Sequence, residues 1–135
     1  MKRIVLLSLL AIIMFSAFRS NEEPNLLLGR WEFRSVEQGS AFSFLLIFRN
    51  NGKYDGFMNK KTFVSGTYHM QHDTLYISDP IYDSAYQGTY KIEYHGKADS
   101  LTFHVIRDSC RARREGSDGF TYKKVKTATK QSKNR

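Results

Sequence analysis

The stretch KYDGFMNKKTFVSGTYHMQHDTLYIS, residues 53–78, decides the fold. It contains three short runs with apolar or aromatic residues at alternate positions, which predict β-strands at 53–58, 62–70 and 74–78. Only three residues separate each run from the next, whereas parallel neighbours need connections of a dozen residues or more. The stretch therefore predicts three sequential antiparallel strands.

The same pattern continues on both sides of this stretch. Further strands are predicted at 28–36, 42–49, 86–94, 100–107 and 119–125. Asn50-Asn51-Gly52 supplies residues that tolerate the left-handed backbone of a tight hairpin. Residues 108–118, rich in charge, are predicted to form a loop with about one helical turn. Eight sequential strands predict a single all-β domain, an antiparallel up-and-down barrel, and a two-sheet sandwich is the alternative.

Two of the predicted strands share the sequence Gly-Thr-Tyr, at Ser65-Gly66-Thr67-Tyr68 and Gln87-Gly88-Thr89-Tyr90. A glycine inside a strand often marks a bend or the close approach of another backbone. Both are needed where a barrel curves. The two glycines are therefore interpreted as curvature sites.

The first twenty residues have the composition of a signal peptide. Lys2 and Arg3 give a basic start, and residues 4–18 are almost uninterrupted apolar sequence, too short for a comfortable membrane span. We therefore predict a signal peptide at 1–20, a barrel at 21–126 and a disordered basic tail at 127–135. The protein is expected to be exported, and to be periplasmic, associated with the outer envelope or secreted.

The formal net charge of +8 is concentrated at the two ends of the chain. Nine of the 21 basic residues lie in the first 19 or the last 13 positions, which leaves 12 basic residues against 13 acidic ones between them. This distribution argues against nucleic-acid binding by the barrel, although the total charge is in the range where such binding is considered. The basic tail can contact an anionic membrane surface through weak, screened attraction.

The sequence contains no pattern typical of an active site, a metal site or a cofactor site. His69 and His72 lie next to Asp73 at a predicted turn, but a zinc site there would need ligands from elsewhere. Asp79 and Asp83 fall in the longest predicted loop and are interpreted as solvated side chains. We therefore predict that the protein is not an enzyme and has no catalytic residue, no metal and no cofactor.

Aromatic residues are more numerous than a small core requires, and tyrosine combines an apolar ring with a polar hydroxyl, as ligand pockets do. Tyr68, Tyr86, Tyr90 and Tyr94 are the candidate ligand-binding residues, predicted to line the mouth of the barrel. The alternative is that they fill the core or brace its outer face.

Several of these features together resemble the lipocalin-like, calycin-type proteins of bacterial envelopes. They are Leu28-Gly29-Arg30-Trp31 at the first strand, the glycine-marked hairpin, the two Gly-Thr-Tyr strands, and residues 107–113 before the last strand. The resemblance implies that Trp31, after Gly29, closes one end of the barrel, and that Arg113 or Arg111 stacks on its ring. It also implies a small, mostly apolar ligand.

Three hypotheses for function follow. The first is a non-catalytic extracytoplasmic binding protein that holds a small hydrophobic or amphipathic ligand inside the barrel. The second is a filled barrel that contacts a protein, glycan or lipid of the envelope. The third is an enzyme of isomerase type, which would need convergent ionisable groups with perturbed pKa values.

Overall fold

The computed structural model describes residues 24–127, which form a closed barrel of eight antiparallel strands. The strands are β1 (Gly29–Glu37), β2 (Ser40–Phe48), β3 (Lys53–Met58), β4 (Lys61–Gln71), β5 (Thr74–Ser78), β6 (Gly88–His95), β7 (Ser100–Arg107) and β8 (Thr121–Lys124), with a helix α1 (Arg111–Ser117) between β7 and β8. Each strand pairs with its successor, and β8 pairs with β1. This closure confirms the predicted up-and-down barrel and excludes the sandwich. The predicted signal peptide and the tail from residue 128 onward lie outside the described residues.

Short turns with left-handed backbone join the early strands. Gln38 and Gly39 between β1 and β2, and Asn59 and Lys60 between β3 and β4, all have positive φ angles, between 47° and 80°. Two consecutive residues of this kind match the right-handed twist of the strands that they connect. Such turns make sequential antiparallel pairing the natural outcome for this chain.

One end of the barrel, which we call the closed end, is sealed by Trp31 near the start of β1. The Trp31 side chain is fully buried, and its indole N–H donates to the backbone oxygen of Leu27 at 2.7 Å. Lys124 Nζ lies 4.9 Å from the centre of the ring, and Tyr94 packs nearby. A buried indole with its hydrogen bond satisfied makes a stable plug at this end.

The open end, on the opposite side, carries the β1–β2 and β3–β4 turns, the β5–β6 loop and α1. The sequence pattern predicted only about one helical turn where the seven-residue helix α1 lies. Its single buried residue is Arg113. A helix this short that buries a charged residue has no apolar stripe, and this explains why periodicity does not identify it. Among residues 24–127, no helix has the length and hydropathy needed to cross a membrane.

Gly66 in β4 allows this strand to approach the end of β5 closely. A Cβ atom at this position would collide with the backbone oxygen of Ser78, and would lie 2.7 Å from the Tyr54 ring and 2.9 Å from Asp79 Cβ. Backbone atoms cannot give way as a flexible side chain can. Close approach is therefore the reason for glycine here.

We expect Gly66→Ala to lower the free energy of unfolding by about 2 kcal/mol, because the added methyl group overpacks this contact. Gly116→Ala in α1 is the matched control, since no atom lies within 4 Å of the added Cβ. The control is expected to be neutral or to stabilise by about 0.5–1 kcal/mol, as helix propensity predicts. Urea titration of both variants tests this, and equal stability of the two would contradict it.

Candidate functional site

A cavity of about 350 Å³ extends from the open end into the barrel. Most of the residues around it are apolar and come from β1–β5, the β5–β6 loop, β7 and the segment before β8. They are Phe33, Phe42, Phe44, Leu46, Phe48, Met58, Phe63, Val64, Leu75, Ile77, Ile81, Phe103 and Phe120. The volume lies at the lower end of the range of about 300–1,000 Å³ that is usual for small-molecule sites.

The cavity changes from an accessible rim to a tightly packed floor. Phe48, Leu75 and Phe103 at the floor are each at most 3% exposed. The rim includes the half-exposed Phe63 and, on the helix side, Ser117. The barrel is thus filled at its closed end and hollow toward its open end.

Beside the cavity lies a buried ion-pair cluster centred on the Arg113 guanidinium. Its Nε and Nη2 atoms donate to the two carboxylate oxygens of Asp108 at 2.6 and 2.9 Å, and Nη1 donates to Asp79 Oδ2 at 2.7 Å. The Asp79 and Asp108 side chains are fully buried, and that of Arg113 is 7% exposed. Two-pronged contact with a carboxylate is the strongest hydrogen-bonding geometry that arginine offers.

Two tyrosines complete the cluster. The Tyr54 hydroxyl donates to Asp79 Oδ2 at 2.6 Å, and the Tyr90 hydroxyl donates to Asp108 Oδ2 at 2.5 Å. The backbone N–H of Ile81 donates to the other oxygen of Asp79, and that of Cys110 to the other oxygen of Asp108. Every oxygen of both carboxylates therefore accepts at least one hydrogen bond, which offsets much of the cost of burying them.

The pKa shifts follow from this geometry. Burial alone would raise the pKa of Asp108, but the Arg113 guanidinium, the Tyr90 hydroxyl and the Cys110 N–H together hold it below its usual value. Burial acts to lower the pKa of Arg113, and the two carboxylates outweigh it and raise that pKa. Burial and the adjacent carboxylates raise the pKa values of Tyr54 and Tyr90. The carboxylate of Asp108 and the guanidinium are charged at neutral pH, and the phenols keep their protons.

The order of strands explains why these residues meet. Asp79 directly follows β5 and Asp108 directly follows β7. In an up-and-down barrel these two strands run in the same direction, so both chains leave the sheet at the open end. Gly88 at the start of the intervening strand β6 makes room, because a Cβ atom there would collide with the Asp108 carboxylate. The glycines interpreted as curvature sites thus mark close contacts of the cluster.

The four candidate tyrosines occupy different places. Tyr90 alone lines the cavity. The Tyr68 hydroxyl donates to the backbone oxygen of Arg49, beyond the end of β2, and Tyr94 packs near Trp31. Tyr86 lies in the β5–β6 loop, where its hydroxyl accepts from the N–H of Ser109. The structure therefore does not bring the four together at the mouth.

The arginines also differ from the expectation drawn from the resemblance. Lys124, and not Arg113 or Arg111, lies over the Trp31 ring. Arg113 is used in the buried cluster, and Arg111 is exposed and pairs with Glu115 within α1. The helix carries both arginines at the open end, away from the tryptophan.

Sequence reasoning missed Asp79, Asp108 and Tyr54. Asp79 was expected to be solvated in a loop, and it is 1% exposed. An isolated acidic residue at the end of a strand does not reveal its partner, which here lies 34 residues along the chain. The one available signal was glycine at 66 and 88, where side chains of the cluster pack.

A second concavity, of about 840 Å³, lies on the outer wall of β1–β3. It is lined by outward-facing charged and apolar side chains, including Arg30, Arg34, Leu45, Ile47 and Phe57. Among residues 24–127, no three histidine, cysteine or acidic side chains are grouped so that they could hold a metal ion.

Comparison with protein-family models, with curated proteins and with solved structures finds no match to this chain.

We expect Arg113→Met to destabilise the protein by about 3–5 kcal/mol, because it leaves two buried carboxylates without their positive partner. Arg111→Met is the control within the same helix, and its side chain is 80% exposed. The control should leave stability nearly unchanged, because an exposed ion pair within a helix contributes little. Urea unfolding followed by tryptophan fluorescence measures both. A similarly small effect of Arg113→Met would show that the buried charges contribute little.

The low pKa of Asp108 predicts loss of stability in acid. An unfolded aspartate titrates at about 3.9, above the folded-state value, so the unfolded chain binds more protons over this interval. The contribution of Asp108 is therefore fully present above the unfolded-state value and is lost as the pH falls through the folded-state value. Unfolding free energies measured between pH 2 and 7 should fall less steeply in acid for Asp108→Asn than for the wild type. An acid-induced fall as steep for Asp108→Asn as for the wild type would contradict this assignment.

Proposed function

We propose that this chain is a non-catalytic, extracytoplasmic binding protein of lipocalin-like type that holds a small hydrophobic or amphipathic molecule inside its barrel. The observation that carries the proposal is the interior cavity of about 350 Å³ with mainly apolar walls. A rigid, concave, largely apolar site with a few polar groups is the usual form of a small-molecule site. Export is part of the proposal and rests on the apolar leader at residues 1–20.

The volume supports a ligand of modest size. A water molecule occupies about 30 Å³ of liquid, and a methylene group is similar in size. A cavity of 350 Å³ therefore suits a molecule with about a dozen non-hydrogen atoms. This argues for a compact metabolite or a short acyl chain over a long lipid.

The buried charges support binding over catalysis. An acid–base catalyst needs a group whose pKa lies near the working pH and whose reactive atom can reach the substrate. The pKa of Asp108 is lowered away from neutrality, and both of its oxygens are occupied by donors. The arrangement is that of a structural cluster that holds the cavity wall in place.

The barrel architecture supports the lipocalin-like part of the proposal. Eight sequential antiparallel strands close on one another, and a tryptophan two residues after a glycine plugs one end. The basic residues after position 122 support a further, weak contact with an anionic membrane surface.

The first test is native mass spectrometry of the protein purified from its own envelope, with extraction and identification of any bound molecule. Binding of the small, uncharged fluorescent dye 1-naphthol to the extracted protein is then compared with that of Ala112→Trp, whose new ring would enter the cavity from α1. The control Arg111→Trp places the same ring on the exposed side of the helix. We expect dye affinity to fall about tenfold or more in Ala112→Trp and to change little in the control.

A clean mass without a bound molecule, together with no dye binding, would contradict the carrier function. Those results would favour the second hypothesis, a barrel that contacts an envelope partner through its outer wall. Dye binding that both tryptophan variants leave unchanged would place the dye outside the cavity.

A further inference from the structure

Tyr122 is a buried residue that the barrel's internal hydrogen bonds leave unsatisfied. It lies in β8 and is 0% exposed, with its ring 5.2 Å from that of Phe103 and 5.8 Å from that of Phe33. Within residues 24–127, its hydroxyl is the one fully buried side-chain polar atom without a hydrogen-bond partner. Leaving such a group unpaired is costly, so an unpaired hydroxyl needs an explanation.

The position of Tyr122 suggests that explanation. Its side chain points into the barrel and contributes to the wall of the cavity. The other buried phenols of the wall, Tyr54 and Tyr90, both donate to carboxylates and are occupied. Among the buried phenols of the wall, Tyr122 is therefore the one whose hydroxyl has no hydrogen-bond partner within residues 24–127.

The charges around the cavity constrain what can bind next to this hydroxyl. Asp79 and Asp108 are two acidic side chains that face one basic side chain, that of Arg113, so the buried cluster has an excess of one acidic group. Glu37 at the rim adds to this excess. An anion inside the cavity would lose its hydration and meet net repulsion, and both effects are strong where the dielectric constant is low.

A cation is not favoured either. The excess of acidic groups would attract it, but a buried cation needs carboxylate oxygens free to accept its hydrogen bonds. Three of the four oxygens of Asp79 and Asp108 already accept two hydrogen bonds, and the fourth accepts one from the backbone. The carboxylate oxygens of the cluster are thus occupied by donors within the protein, and few of them remain to accept a hydrogen bond from a ligand.

We propose that the cavity binds an uncharged, mainly apolar molecule with one hydrogen-bonding oxygen or nitrogen, and that the Tyr122 hydroxyl is the group that recognises this atom. The inference rests on the proposed function and narrows it to a class of ligand, such as a ketone, alcohol, ester or amide with about a dozen non-hydrogen atoms. Fatty-acid anions are excluded from this class. The hydroxyl both donates and accepts, so a carbonyl or a hydroxyl group on the ligand would suit it.

Three probes of this size, which differ in one polar group, test the proposal. Valerophenone has one carbonyl oxygen, pentylbenzene has no polar atom, and 4-phenylbutyrate is an anion at neutral pH. Their dissociation constants are measured by NMR titration with the mature wild-type protein and with Tyr122→Phe. The ratio of ketone affinity to hydrocarbon affinity should be about 3–10-fold higher in the wild type than in the variant, which is the usual worth of one neutral hydrogen bond. The anion should bind at least about tenfold more weakly than the ketone.

Each outcome decides something different. If none of the three probes binds, the proposed function fails along with this inference. If ketone and hydrocarbon bind and their ratio is the same in both proteins, the cavity is a binding site but Tyr122 does not recognise the ligand. If the anion binds as tightly as the ketone, the restriction to uncharged ligands is wrong.

A second measurement does not depend on the variant. In wild-type protein labelled with ¹³C at tyrosine Cζ, valerophenone should shift the Tyr122 signal and pentylbenzene should shift it much less. Equal shifts with the two probes would overturn the role of the hydroxyl. Tyr122→Phe is itself expected to fold, because it removes only an unpaired polar atom from the interior.

Discussion

The guanidinium of Arg113 holds three chain segments together at the open end of the barrel. It joins the residue after β5 to the residue after β7 and fastens α1 to both. Tyr54 from β3 and Tyr90 from β6 add hydrogen bonds to the same two carboxylates. Burying three charges is expensive, and a cluster of this kind is stable only because nearly every donor and acceptor in it is matched. The cavity wall on this side depends on that matching.

The two ends of the barrel are stabilised in different ways. At the closed end, Trp31 and the apolar side chains around it fill the interior, as in any small core. At the open end, a helix and a loop hold the mouth apart, and the polar cluster supplies stability that a filled core would otherwise provide. The interior of an eight-stranded barrel is barely wider than the side chains that line it. At any one height along the barrel axis, the interior is therefore either filled by side chains or open as a cavity. Division of the interior into a packed half and a hollow half gives the protein both a core and a cavity.

The strand order of the barrel could be predicted because it depends on local features of the sequence. Alternating apolar residues and short glycine- or asparagine-containing links give β3, β5 and β7 the bounds that the structure has. The candidate site could not be predicted in the same way. The Arg113–Asp79 contact joins residues 34 positions apart, and periodicity reports only which face a residue occupies. Asp79 was interpreted as a solvated loop residue for this reason, and the resemblance placed an arginine on Trp31 where Lys124 lies.

The seam between β1 and β8 is the shortest pairing of the barrel, with only Trp31 and Glu32 facing Lys124 and Lys123. It joins the first and the last strand within residues 24–127. A polypeptide made from its N-terminus therefore cannot close the barrel until its final strand is available, and the Arg113 partner of Asp79 also arrives late. Up to that moment the nascent sheet has two free edges and an uncovered apolar face, which are the features that promote misassociation with other chains. The barrel can therefore bury its sheet edges and its apolar interior only after β8 has paired with β1.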